Sequence, residues 1–333
     1  MRLNASGLLS AVLLMWVTVP AIPVTSTLPD RAMAATSTAT PTHRAAVAIA
    51  DDARAARWGL HGHEIAGRAA ATELPAELPA FFRTGTEQLA YLNAEPDRWR
   101  GDRSREVNEA MRYDHYIDLE IIPAIALDAP DRFHYLMRLQ DAGVSNPSRD
   151  AGLLPFRIIE LYQRLVIEWR LWRSATDPAR RQMIEQRIMN DAGILGHYVT
   201  DAANPHHTSV HHNRWAEGYA NPRGFTTEPG FHSRFESQYV GANIRTADLT
   251  PHMDARPRTL TDIRAETLAH IQRSHGRLER LYELDQADRW NAQTRGAAHR
   301  EFAIERLTEG ANMLRSYWWS AWLESAQGGV QQR

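Results

Sequence analysis

The spacing of apolar residues predicts α-helices along most of the chain. Between Pro155 and Trp172, large apolar residues recur at intervals of three and four, which places them on one face of a helix. These residues are Ile158, Ile159, Tyr162, Leu165, Val166, Trp169 and Trp172. No stretch of the sequence alternates apolar and polar residues as a half-buried strand does. The sequence therefore predicts an all-α fold.

Start signals and breakers define the other predicted elements. Asp177 followed by Pro178 is typical of a helix start, because Asp caps the first turn and Pro fits within it. This helix is predicted to run toward Pro205. Two more long helices are predicted over 261–285 and 296–327, and loops rich in Gly, Pro and Asn over 213–230 and 250–257.

The first 57 residues follow a different pattern. Arg2 precedes an apolar run over 8–24 that Pro20 and Pro23 interrupt, which predicts a signal peptide over 1–34. Residues 35–57 are rich in Ala and Thr without a hydrophobic period, as in a flexible pro-segment. Residues 58–333 remain as one all-α catalytic domain. We expect export to the periplasm or the medium; the alternative is an uncleaved membrane anchor.

Composition excludes several kinds of chemistry. The chain has 333 residues and is 43% hydrophobic, enough for one large core. A formal net charge of −2 provides no overall positive field for nucleic acid or anionic membranes. Absence of Cys excludes disulfides, thiolate ligands and a Cys nucleophile. All cationic side chains are Arg, so a catalytic Lys is excluded as well.

Two His–carboxylate pairs suggest metal binding. His197 and Asp201, and likewise His232 and Glu236, are four residues apart and therefore share a helix face. Imidazole and carboxylate are ligands that suit zinc. With 15 His and 40 acidic residues, chance alone produces about two such pairs, so the spacing becomes specific only through the residues around it.

The longer motifs resemble the zinc-dependent phospholipase C family and its relatives, the single-strand-specific zinc nucleases. Residues 196–207, GHYVTDAANPHH, resemble the family segment that carries two His and one Asp. Residues 58–63, WGLHGH, resemble the start of the mature chain in its nuclease form. Residues 94–100 and 114–118 resemble the segments with the family's Asp and first central His. Residues 230–237, GFHSRFES, resemble the bacterial phospholipase form, whose last ligand is Glu.

The resemblance implies three zinc ions. The first would be held by four side chains: Asp97, His115, His197 and Asp201. The second would be held by three side chains and solvent: His207, His232 and Glu236. The third would be held by the backbone amine and carbonyl of Trp58 and by the side chains of His63 and Asp201. Asp201 would bridge the first and third ions.

Several assignments depend on this scheme. A free amine on Trp58 requires maturation between Arg57 and Trp58. Asp102 is the alternative to Asp97. Three further histidines of the same stretch are expected to lie outside the ligand shells: His206, His211 and His212.

The same resemblance implies a hydrolase of phospholipid head-group phosphodiesters. Hydroxide activated by zinc would attack phosphorus in line, with Asp97 orienting or deprotonating the attacking water. Arg98 and Arg112 are candidates for binding phosphate oxygens; surface ion pairs are the alternative. They stand where the family has aromatic residues that cradle choline, so anionic or small head groups are expected.

Partners and competing functions follow from the same motifs. The expected partner is a phospholipid, with transient contact to a membrane surface and no stable protein partner. The first alternative is a single-strand-specific zinc nuclease or 3'-nucleotidase, with single-stranded nucleic acid as partner. The second is a structural or zinc-binding protein without activity.

Overall fold

The computed structural model describes residues 60–100 and 104–327. Within these ranges the chain is mostly helical and forms no strand, although an isolated antiparallel bridge joins Ile117 to Gly152. The prediction of an all-α fold is confirmed. The predicted signal peptide, the predicted pro-segment, Trp58 and Asp102 lie outside the described residues, so those predictions stay predictions.

The helices follow one another in the chain with short connections. The α-helices are α1 (60–70), α2 (Ala80–Arg83), α3 (Thr86–Asn93), α4 (Glu95–Arg98), α5 (Arg105–Met111), α6 (Ala124–Leu127), α7 (Arg132–Asp141), α8 (Pro147–Ala151), α9 (Leu154–Ser174), α10 (Pro178–Asp201), α11 (Phe231–Ser233), α12 (Gly241–Asn243), α13 (Thr246–Leu249), α14 (Ile263–His275), α15 (Leu278–Ala287) and α16 (Ala297–Glu324). Short 3-10 helices cover Arg112–His115, Leu119–Ile121, Pro205–Thr208 and Thr250–His252. A π-helix, Arg234–Val240, connects α11 to α12.

Helix α10 lies at the centre of the fold and packs against α3, α9 and α16. As predicted, the Asp177 side chain caps its start by accepting hydrogen bonds from two backbone N–H groups, and Pro178 occupies the first turn. Every residue from Asp191 to Asp201 is buried. A Cβ at Gly193 would lie 2.3 Å from the Leu92 side chain, so glycine permits the close approach of α3.

Two of the predicted helix boundaries are wrong. Helix α10 ends at Asp201, short of Pro205, and a turn leads from it into the 3-10 helix Pro205–Thr208. The predicted helix over 261–285 is two helices, α14 and α15, separated at Gly276 and Arg277. Glycine has a low helix propensity because its backbone loses the most entropy on ordering, so tertiary contacts decide whether a helix continues through it.

The other long helices match their predictions. Helix α9 spans Leu154–Ser174 and buries the predicted apolar face, and α16 spans Ala297–Glu324. Between them lies an aromatic cluster in which Phe82 contacts Trp169 and Trp318 at ring distances of 5.5 and 5.4 Å. Among the described residues, no helix is both long and apolar enough to cross a bilayer.

A buried pair of carboxyl groups lies between α9 and α10. Glu168 and Asp191 are 1% and 2% exposed. Arg187 lies 2.9 Å from Glu168, and Arg164 lies 2.8 Å from Asp191. Burial, followed by the charge of Asp191, raises the pKa of Glu168 from 4.5 to about 7. Folded protein therefore keeps a proton on Glu168 at pH values where the unfolded chain has released it.

We predict that Glu168→Gln removes a pH dependence of stability. Since the folded state binds this proton more tightly, the free energy of unfolding falls as the pH rises from 4.5 to about 7. Gln has no proton to lose, so the variant should lack this pH-dependent loss, which is on the order of 2–3 kcal/mol across the range. Urea unfolding at several pH values measures the difference, with the exposed Glu217→Gln as control. An equal loss of stability with pH in Glu168→Gln would contradict the prediction.

Candidate metal centre

Seven separate elements bring the predicted ligands together. His63 lies on α1, Asp97 on α4, and His115 at the end of the 3-10 helix Arg112–His115. The remaining ligands come from α10, from the next 3-10 helix, and from α11 with the π-helix that follows it: His197, Asp201, His207, His232 and Glu236. Of the nine predicted ligands, only Trp58 lies outside the described residues. The structure therefore gathers residues that are far apart in sequence.

These side chains form three groups in which the potential ligand atoms lie within 4.8 Å of one another. The first group has three members: Asp97, His115 and His197. The second has three members: His207, His232 and Glu236. The third has three members: His63, His197 and Asp201. This division follows the predicted one with two differences: Asp201, predicted at the first ion as well, is not a member of the first group, and His197 also belongs to the group of His63.

Asp201 connects the groups through both oxygens of its carboxylate. Oδ1 lies 3.3 Å from Nε2 of His63 and 3.6 Å from Nε2 of His207. Oδ2 lies 3.1 Å from Nδ1 of His115 and 3.2 Å from Nε2 of His197. The residue is only 2% exposed. A carboxylate in this position can serve two ions at once, because each oxygen faces a different set of imidazoles.

Hydrogen bonds behind the histidines fix which ring nitrogen faces the centre. Nδ1 of His197 donates to the backbone carbonyl of Asn93 at 2.9 Å, and Nδ1 of His207 donates to the carbonyl of His115 at 2.7 Å. Nδ1 of His63 lies 2.6 Å from the Thr200 hydroxyl, which itself donates to a backbone carbonyl of α10. In each case Nε2 is the nitrogen directed at the carboxylates, and it can bind a metal ion while Nδ1 keeps its hydrogen-bond partner.

The second group is built around Glu236. Its Oε2 lies 2.8 Å from Nε2 of His232, and its Oε1 lies 3.2 Å from Nε2 of His207. The side-chain amide of Asn204 donates a hydrogen bond to the same Oε1. Between His232 and Glu236 the helix changes from α to π. Single π-turns within α-helices occur frequently at functional sites, where they reposition side chains.

The electrostatics of the groups favour bound cations. Burial would raise the pKa of Asp201, but His207 and His197 hold it well below its usual range. Burial would lower the pKa of His207, but Asp201 and Glu236 raise it to about 9. Burial lowers the pKa of His115 to about 4. Since the carboxylates stay ionised, the histidines facing them hold either a proton or a metal ion.

The donor atoms also fit zinc in their spacing. Zinc–nitrogen bonds of about 2.0–2.1 Å in tetrahedral geometry place neighbouring ligand atoms about 3.3 Å apart. The observed separations include 2.9 Å between Nδ1 of His115 and Nε2 of His197, and 3.9 Å between Nε2 of His197 and Oδ1 of Asp97. Imidazole nitrogen and carboxylate oxygen without thiolate is a donor set that zinc accepts. The described residues therefore fit zinc.

The two predicted phosphate-binding arginines face other partners. Nη1 of Arg98 donates to Glu95 and to the carbonyl of Tyr91, both at 2.9 Å. Arg112 donates to Glu109 at 3.2 Å and is largely exposed. In the described part of the chain, neither guanidinium forms a hydrogen bond or an ion pair with a metal-group residue. These positions correspond to the surface ion pairs that the sequence left as the alternative.

Arg100 is a cation near the centre that sequence analysis missed. Its Nη1 lies 3.7 Å from Oδ1 of Asp97. Burial would raise the pKa of Asp97, but the charges of His197, His63 and His115 lower it, and Arg100 adds to that effect. The sequence signal for this contact is the spacing of three residues between Asp97 and Arg100, which brings two side chains close on a helical segment.

The neighbouring histidines lie beside the groups rather than in them. His206 is buried, and its ring contacts the rings of Phe231 and His232 at 4.7 and 4.9 Å. His211 stacks on Trp215 at 3.9 Å. Neither of these two, nor His212, belongs to a metal group of the described residues. Their sequence-based placement outside the ligand shells agrees with this arrangement.

No protein-family model, curated protein or solved structure matches the chain. Support for a metal centre therefore comes from the motifs and from the geometry above.

We predict that Asp201→Asn lowers the zinc content more than any single His substitution in the groups. An amide has one good acceptor oxygen and no charge, so it cannot serve two ions as the carboxylate does. Elemental analysis of purified protein gives the zinc content per chain. Asp128→Asn, at an exposed position, is the matched control and should retain all of its zinc. Full zinc content in Asp201→Asn would show that the carboxylate is not a bridging ligand.

Proposed function

We propose that the chain is a zinc-dependent phosphodiester hydrolase of phospholipase C type, acting outside the cytoplasm on phospholipid head groups. The observation that carries the proposal is the position of Asp201, whose carboxylate lies between four histidines from three potential metal groups. Adjacent metal sites are typical of enzymes that displace groups at phosphorus. The reaction would release a phosphorylated head group from the lipid.

Asp97 has the properties of the proton acceptor in this reaction. Zinc, when bound, supplies a Lewis acid and lowers the pKa of a coordinated water toward about 7. Asp97 is 8% exposed, and the surrounding histidines lower its pKa against the effect of burial. It is therefore ionised at neutral pH and can accept a proton from water while its second oxygen stays directed at the group. Arg100 stabilises that ionised form.

An open cleft beside the groups supports an enzyme rather than a structural metal site. His63, Asp201 and Glu236 contribute to the walls of this cleft. A structural zinc site is closed by protein ligands on all sides, whereas a catalytic one keeps a position for water or substrate. His207, His232 and Glu236 supply only three protein ligands, so the second group meets the catalytic description.

Two features favour lipid over nucleic acid as the substrate. Glu236 and its surrounding motif resemble the phospholipase branch, whereas binding of single strands relies on a basic groove with aromatic platforms. Near the centre, Arg98 and Arg112 are neutralised by Glu95 and Glu109.

Exposed apolar side chains support transient contact with a lipid surface. Ile125 on α6 and Phe133 and Met137 on α7 are 67%, 72% and 61% exposed, and the two helices are neighbours.

The spacing from Trp58 to His63 favours the nuclease alternative, so single-stranded nucleic acid is the second candidate substrate.

We predict that zinc-loaded protein releases phosphorylated head groups from mixed phospholipid vesicles and that chelation abolishes the reaction. Asp97→Asn should lower kcat by at least about 100-fold, because the amide cannot accept a proton. The exposed Asp128→Asn should retain full activity and serves as the control. Single-stranded DNA is assayed in parallel under the same conditions.

The outcomes separate the three functions. Rapid cleavage of single-stranded DNA without lipid turnover would identify a nuclease. Loss of thermal stability on chelation with no turnover of either substrate would leave a structural metal protein. Lipid turnover with unchanged kcat in Asp97→Asn would remove Asp97 from the reaction.

A further inference from the structure

The cleft beside the metal groups has two chemically different sides. Ligand candidates of the metal groups form one side, and three apolar side chains form much of the rest: Phe235, Val240 and Leu307. Arg306 of α16 is the cationic residue among the described residues that line it. An ionised group within apolar walls interacts strongly with any opposite charge that enters, because the local dielectric constant is low.

Arg306 is buried with much of its hydrogen-bonding capacity unused. The residue is 7% exposed, and Nη2 donates to Oε1 of Glu305 at 2.6 Å. Nε and Nη1 are buried and have no hydrogen-bond partner in the described part of the chain. Burial lowers the pKa of this guanidinium, against the effect of Glu305. Buried donors without acceptors destabilise a fold, and for a charged group the effect is larger.

Glu305 does not account for the burial of Arg306. Its carboxylate is 42% exposed and is shared with Arg277, whose Nη2 lies 2.7 Å from Oε2. One shared acceptor on the solvent side leaves the other donors of Arg306 unsatisfied. Nε and Nη1 of the guanidinium are therefore left to donate to the oxygens of a phosphoryl group.

We propose that Arg306 forms an anion subsite of this cleft, binding the non-bridging oxygens of a phosphoryl group whose other substituents lie against the apolar wall. The inference rests on the proposed function, in which a phosphodiester reaches the metal groups through the same cleft. It assigns the phosphate contact to α16, whereas sequence analysis placed it at Arg98 and Arg112.

The subsite should depend on bound metal. The carboxylates of Asp201 and Glu236 line the same cleft. In the metal-free protein they repel an incoming anion, and bound cations cancel that repulsion. Inorganic phosphate should therefore bind the zinc-loaded chain more tightly than the metal-free chain, with Arg306 contributing in the loaded state.

The test measures binding of inorganic phosphate to the zinc-loaded full chain by titration calorimetry. Arg306→Gln should weaken the affinity at least about tenfold, because a charge-assisted bidentate contact is lost. Arg306→Lys keeps the charge but not the fork and should also bind more weakly than the parent. Arg277→Gln is the matched control, since it shares Glu305 but is not among the described residues of the cleft wall. Zinc content should be unchanged in all three variants.

Each outcome decides the question. Parental phosphate affinity in a folded Arg306→Gln would overturn the subsite; if that variant does not fold, parental affinity in Arg306→Lys would overturn it. Equal weakening in Arg277→Gln would also overturn it, because the effect would then come from Glu305. Phosphate affinity that depends on Arg306 without turnover of any phosphodiester would preserve the subsite and contradict the proposed function. Turnover with phosphate affinity independent of Arg306 would do the reverse.

Discussion

The buried carboxylate of Asp201 is the constraint on which the rest of the centre depends. An ionised carboxylate at 2% exposure is unfavourable unless cations lie next to it, and four histidines approach its two oxygens. Protons on those rings or metal ions between them can balance the charge. The hydrogen bonds behind His63, His197 and His207 direct Nε2 of each ring toward the carboxylates, where it can bind a metal ion.

The packing of the helices positions histidines next to this carboxylate. Helix α10 carries His197 and Asp201 on adjacent turns, and its glycines allow α3 to approach closely. At that contact Asn93 holds two elements of the centre: its side-chain amide donates to the carbonyl of His63 at 2.7 Å, and its backbone carbonyl accepts from His197. Ligands held on rigid helices keep their geometry better than ligands on loops.

Much of this arrangement could be predicted from local sequence, and the rest could not. The apolar period determined α9 and α16, and the motifs predicted which His and carboxylate residues would meet. Gly276 separates α14 from α15 because a weak helix former leaves the decision to tertiary packing. The position of each guanidinium depends on its partners. Arg98 pairs with Glu95 on the same turn, whereas Arg306 of α16 lines the cleft with residues that are distant in sequence. No motif contains that information.

The central proposal is that the three groups around Asp201 bind three metal ions. Anomalous X-ray diffraction at the zinc absorption edge, from crystals of the zinc-loaded protein, locates such ions directly. The account predicts three peaks, one in each group, with the oxygens of Asp201 directed at two of them. Absence of peaks at these groups, or zinc bound only at surface histidines such as His134, would contradict it.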